Sequence, residues 1–131
     1  MLVLTGSAGQ KNEFPLYAYG KQFLLWNNWN SAVLLEKCVR LNTASSCFCT
    51  NHSIDFSKFK TLTLELSEGR CWLYLGSTLS NLDYASVICV ADGTEIISIT
   101  VDISSYNEMT FVTLQGKSYS GQPKIHSVVL S

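Results

Sequence analysis

An Asp-x-Ser phrase framed by apolar residues occurs twice in this chain, each time against a β-rich segment. Ile54-Asp55-Phe56-Ser57-Lys58-Phe59 runs into Lys60-Thr61-Leu62-Thr63-Leu64-Glu65-Leu66. Val101-Asp102-Ile103-Ser104-Ser105-Tyr106 follows the alternating stretch Glu95-Ile96-Ile97-Ser98-Ile99-Thr100. Asp and Ser favour local side-chain-to-backbone bonds at turns, while the flanking apolar residues anchor the turn on a core. Such a corner suits a chain that crosses from one sheet of a sandwich to the other. The repeat predicts an all-β fold: a jelly-roll-like β-sandwich of two antiparallel sheets.

The rest of the chain agrees. Strand-like segments are expected over residues 16–26, 31–41, 46–50, 60–67, 70–76, 85–90, 95–102, 108–114 and 124–130. Asn-Asn, Glu-Gly, Asp-Gly and Gln-Gly pairs punctuate them, which is turn chemistry rather than helix capping. Residues 33–39 fit a helical face about as well as an alternating strand; they are assigned to strand, and no helix longer than about three turns is expected. Leu62, Leu64, Leu66, Leu73, Leu75, Ile99, Val101, Val112 and Val129 are the expected core. A length of 131 residues fits one domain. Residues 1–14 read as a flexible or partner-binding arm and residues 15–131 as the sandwich.

Only 15% of the residues are charged, against about 25% in an average soluble domain. The net charge is −1, and no two basic residues are adjacent, so the basic footprint of a nucleic-acid binder is missing. A surface this short of charge is often covered by other subunits, and a homo-oligomer is expected. No segment approaches the ~20 apolar residues of a membrane-spanning helix, so no membrane insertion is expected. The start has no basic lead-in and too short an apolar run for a signal peptide, which reads as a product made in the cytoplasm or as a fragment whose export signal lies elsewhere. Five cysteines cannot all pair within one chain, and Cys38, Cys71 and Cys89 lie in apolar stretches. Reduced thiols are the simpler reading.

In Cys71-Trp72-Leu73-Tyr74-Leu75, an inward Cys71, Leu73 and Leu75 would leave Trp72 and Tyr74 outward and side by side. Such a pair makes a flat platform for a sugar ring or a partner's apolar residue. The competing reading covers both rings with the chain's own loops, and it is favoured because large apolar side chains are usually at least partly buried. Trp26-Asn27-Asn28-Trp29-Asn30 combines stacking surfaces with amide groups, the mix used for carbohydrate. It equally reads as a turn pinned by two Trp, with Asn-Asn where a strand ends, and the turn is preferred. The candidate ligand- or partner-binding residues are therefore Trp72, Tyr74, Trp26, Asn28, Trp29, Tyr84 and Tyr119.

Enzymatic readings fail, and no catalytic residue or cofactor is expected. Cys47-x-Cys49-x-x-His52 has zinc-binding atoms at the wrong spacing, so the thiols read as structural and no metal is expected. His52 and His126 lie in no general-base motif. Gly116-Lys117-Ser118-Tyr119-Ser120-Gly121 has the spacing of neither a nucleophile elbow nor a phosphate loop. Asp55 and Asp102 repeat one corner and so read as caps rather than a carboxylate pair.

An early Trp-containing strand, then IDFSKFKTLTLEL, a middle aromatic strand, ITVDISSY and a closing KIHSVVLS together resemble the small β-sandwich modules of tailed-phage and prophage virion proteins, in tail, baseplate or capsid-associated chains. Those modules are similar in architecture to galactose-binding-like carbohydrate-binding domains. The likeness runs from about Leu16 to the end. It implies a non-enzymatic structural or adhesive role in a virion, with other virion proteins or a host-surface glycan as partner, and supplies no catalytic residues. The alternative is a stand-alone carbohydrate-binding module unrelated to virions.

Overall fold

Strand β8 (Thr61–Gly76) changes the side on which its odd-numbered residues lie halfway along, and this sets the architecture. Leu62, Leu64 and Leu66 are buried in its first half; Cys71, Leu73 and Leu75 are buried in its second. The switch falls at Ser67-Glu68, where Glu68 has a φ of 66° and its backbone N–H leaves the strand to donate to Gly93 O at 2.8 Å.

The computed structural model describes residues 13–77 and 85–131, with residues 85–86 and 118–120 as backbone only. The remaining elements are β1 (Phe14–Ala18), β2 (Lys21–Gln22), β3 (Trp26–Trp29), β4 (Ala32–Leu34), β5 (Val39–Leu41), β6 (Cys47–Thr50), β7 (Ile54–Asp55), β9 (Ala85–Ala91), β10 (Ile97–Asp102) and β11 (Met109–Leu130). A three-residue 3-10 turn, Phe56–Lys58, is the only helical element among the described residues. All pairings among the described residues are antiparallel. Strands β8 and β11 pair along nearly their whole length and carry the chain through both layers. One layer runs β10–β8–β11–β1–β2 through the first half of β8. The other runs β9–β8–β11–β6–β3 through its second half. The hairpin β4–β5 joins β11 at Lys124-Ile125, and β7 pairs with the start of β11.

The layers close on each other through aromatic residues. Tyr17 of β1 meets Phe48 of β6 edge-on at 5.3 Å and Trp26 of β3 at 6.5 Å. Trp26 stacks on Phe48 at 4.2 Å and donates its indole N–H to Leu16 O across the interface at 3.0 Å. An unpaired indole N–H in such a place would cost stability.

Both copies of the Asp-x-Ser phrase fold alike. Asp55 Oδ1 accepts from Ser57 N at 3.0 Å and Ser57 Oγ at 2.5 Å. Asp102 Oδ1 accepts from Ser104 N at 2.9 Å and Ser104 Oγ at 2.6 Å. Three residues after each inward apolar residue an aromatic N–H closes the turn, Phe59 N to Phe56 O at 3.0 Å and Tyr106 N to Ile103 O at 2.9 Å. Phe56 and Ile103 are completely buried.

Several expected boundaries shift. Segments 60–67 and 70–76 are one bent strand, as are 108–114 and 124–130. The segment expected over 16–26 reverses at Tyr19-Gly20, both at positive φ, where Ala18 pairs with Lys21 in a two-residue hairpin. Residues 33–39 are not helical but hold the β4–β5 hairpin. Val129 is not core: a bulge at His126 between Ile125 and Ser127 shifts the alternation, and Val128 and Leu130 point inward instead. Ile99 and Val101 pack on the core but stay partly exposed, because β10 is an edge strand. Of the expected arm, residues 1–12 lie outside the described residues, and Phe14 already opens β1.

Candidate functional site

The outer face of the β9–β8–β11–β6–β3 layer carries two registered rows of side chains. Pairing aligns Trp29, Cys47, Gln115, Trp72 and Ile88 across five strands. The adjacent row is Asn27, Cys49, Thr113 and Tyr74. All point to the side opposite the core, because Phe48, Leu114, Leu73 and Val87 occupy the intervening position.

Trp72 and Tyr74 are half-buried and stacked, with centroids 5.9 Å apart and planes 25° from parallel. The face assignment made from alternation is therefore correct, and the loops leave part of both rings open. Burial raises the Tyr74 hydroxyl above its usual range, with Cys47 adding to the shift, so it stays a protonated donor at neutral pH. With Ala44, Gln115 and Gly116 the two rings line a depression of about 130 Å³.

The wall of that depression is the 42–46 loop. Ser46 N donates to Thr43 O at 3.1 Å, and Ser46 Oγ donates to Asn30 O at 2.5 Å. Asn30 Nδ2 returns a bond to Ser45 O at 3.2 Å. Gly116 N donates to Ser46 O at 2.9 Å. A β-carbon at Gly116 would lie 2.1 Å from Thr43 O, so only glycine lets the loop approach this closely. The missing side chain brings Ala44 up beside Trp72.

The other candidates are distributed unevenly. Trp29 is 49% exposed in the same row as Trp72, three strands away, or about 14 Å at normal strand spacing. Trp26 faces the core and is buried. Asn28 shares the inward parity of Trp26 at the strand end, with Nδ2 directed to Ala32 O at 3.4 Å. Its neighbour Asn27 is on the platform side, held by Asn51 Oδ1 at 3.0 Å. The expected turn at Asn27-Asn28 is displaced: these residues are strand, and the chain reverses at Asn30-Ser31, where φ is 53° and 71°. Tyr84 and the Tyr119 side chain lie outside the described residues. Gln115, Thr113 and Asn27 were not singled out from sequence. The signal for Gln115 and Thr113 was available in their alternation with Val112 and Leu114.

Cys47 and Cys49 share the outer face. Burial, with Cys47 nearby, pushes the Cys49 thiol up to about 11, and burial raises Cys47 as well. Among the described residues no three His, Cys, Asp or Glu side chains converge as a metal site.

No protein-family model matches the sequence, and no curated protein matches it. Solved structures do match in fold. A mutant carbohydrate-binding module of family 29 superposes with a TM-score of 0.67 at 10% identity, covering 91% of this chain and 90% of that one. A second family 29 module mutant, made to probe ligand recognition, gives 0.64 at 11% identity over 92% of both chains. The family 11 carbohydrate-binding module from Clostridium thermocellum, solved with a β-1,3-1,4-mixed-linked tetrasaccharide, gives 0.57 at 10% identity over 90% of this chain and 94% of that one. The chain has the β-sandwich fold of carbohydrate-binding modules. None of these matches is a virion protein.

Proposed function

We propose that this chain is a non-enzymatic carbohydrate-binding module that seats a glycan on the outer face of the β9–β8–β11–β6–β3 layer. The observation that carries the reading is the stacked Trp72–Tyr74 pair, half-open beside Gln115 in a walled depression. Ring faces of this kind pack on the C–H faces of pyranose rings, while an amide and a phenol supply hydrogen bonds to hydroxyls. The aligned Trp29 lies far enough along the row for an oligosaccharide, rather than one sugar, to reach both. The fold shared with modules crystallised for carbohydrate recognition supports the same reading. A place in a virion has no structural observation behind it.

Affinity electrophoresis against a panel of soluble polysaccharides, followed by calorimetry on the hits, tests the proposal. Retardation by at least one glycan is expected, weakened about thirtyfold by Trp72→Ala if that ring is worth ~2 kcal/mol. A panel of α- and β-linked glycans that all fail to retard the protein would sink it.

A further inference from the structure

Six strands pair on one side only among the described residues, and five of them resist further pairing. β4 and β7 are three and two residues long. β2 is two residues long and contains Lys21. β3 has four residues, with Asn27 and Asn28 at its centre. β10 ends on Asp102, the cap of a corner. Shortness, charge and local capping are the usual means by which an edge avoids another strand. β9 has none of them. Its seven residues, Ala-Ser-Val-Ile-Cys-Val-Ala, include no charge, proline or glycine. Among the described residues it pairs only with β8, and in register throughout. Val87, Ile88 and Val90 are 37%, 43% and 43% exposed.

We infer that β9 is a self-association edge, where a second copy of this chain adds its own β9 antiparallel across a twofold axis. Among the described residues the outer N–H and C=O groups of β9 bond no other strand, so the edge asks for one, and an identical strand meets no like charge there. The neighbouring Arg70 is neutralised by two bonds to Asp92, at 2.9 and 2.8 Å. Asp92 follows the C-terminal end of β9, so antiparallel pairing keeps the two copies of that ion pair at opposite ends. Nothing charged meets its own image. Ile88 and Val90, on the outer side, then cover each other's copies. The five-stranded layer becomes one ten-stranded sheet, and both Trp72 platforms share a continuous face, three strand spacings or about 14 Å apart. The dimer stands without the glycan reading; only the two-site face rests on it.

Sedimentation velocity over a broad concentration series, with Val90→Lys, Ile88→Lys and Trp72→Ala beside the parent chain, tests this. The expected result is a parent dimer, a halved mass for both Lys variants with unchanged far-ultraviolet circular dichroism, and a Trp72→Ala variant that stays dimeric. Should the Lys variants misfold, amide exchange of parent β9 decides: protection must rise with protein concentration. A parent monomeric throughout, Lys variants that remain dimeric, dissociation by Trp72→Ala, or concentration-independent exchange would each overturn it. The mass readout is independent of any glycan titration, so the two proposals fail separately.

Discussion

Phe56 and Tyr106 meet edge to face at 6.2 Å, so the two copies of the Asp-x-Ser phrase close on each other. The first supplies its inward apolar residue to the contact and the second its terminal aromatic. The corners therefore act as a pair, and damage to one should be felt at the other. Phe56→Ala is expected to cost about 3–5 kcal/mol. A double-mutant cycle with Tyr106→Ala should show non-additivity in urea melts; simple additivity would mean the corners are independent.

The same corners define an acid-sensitive step. Hydrogen bonds from Ser57 and Ser104 lower the carboxyls of Asp55 and Asp102 below their ordinary value. A lowered folded-state pKa gives stability that is present above the unfolded value and lost as pH falls through the folded one. Glu65 adds in the same sense, since Ser127 at 2.6 Å and Tyr19 donate to its carboxylate. Burial lowers the His126 imidazole, so the melting temperature should begin to fall slightly below about pH 6.5, where His126 takes up a proton on unfolding, and fall more steeply below about pH 4 as the carboxylates protonate. Asp55→Asn/Asp102→Asn should melt lower at pH 7 but lose less on acidification. An equal acid slope in the two proteins would remove the carboxylates from the account.

Gly116→Ala should move the 42–46 loop, because its new methyl group would overlap Thr43 O. A destabilisation of about 1–3 kcal/mol is expected from the overlap, together with weaker glycan binding as the wall beside Trp72 retreats. Unchanged stability with unchanged binding would show that the loop does not shape the depression.

The thiols should fall into two groups. Cys47 is half-buried, while Cys38, Cys49, Cys71 and Cys89 are buried. Cys71 and Cys89 are directly paired across β8 and β9, and their hydrogen bond, with burial, holds Cys71 well above the usual thiol range. Alkylation without reductant should modify Cys47 first and slowly in the native protein, and all five after denaturation, with no stoichiometric zinc. Fewer than five after denaturation would show a disulfide. A bulky maleimide on Cys47, which lies between Trp29 and Gln115 in the platform row, should also reduce glycan binding.

Trp26 and Trp72 offer a direct contrast. Trp26→Ala removes a ring stacked on Phe48 and a buried hydrogen bond to Leu16, and should cost about 3–5 kcal/mol. Trp72→Ala should leave the melting temperature nearly unchanged while lowering glycan affinity. Severe unfolding by Trp72→Ala would invert the assignment of faces in β8.

Alternation made the central strands readable. Leu62, Leu64, Leu66, Leu73 and Leu75 are core for the reason their spacing states, and Trp72 and Tyr74 are outward for the same reason. What alternation hides is a bulge. One added residue at His126 put Val128 and Leu130 where Val129 was expected, because no local residue type marks that break. Asn27-Asn28 misled in another way: Asn tolerates a turn, but pairing with Cys49 and Phe48 holds both residues extended, and the reversal passes to Asn30-Ser31. Alternation with Val112 and Leu114 marks Gln115 and Thr113 as outward, but only tertiary pairing sets Gln115 beside Trp72.

The bend at Ser67-Glu68 has a consequence for how the gene can change. It works as a reading frame for the second half of β8: remove one residue there and every later side chain rotates to the opposite side. Trp72 and Tyr74 would then claim the interior, and Cys71, Leu73 and Leu75 would be turned out. Length changes at this spot must come in even steps, whereas substitutions on the platform itself are free to alter what it holds.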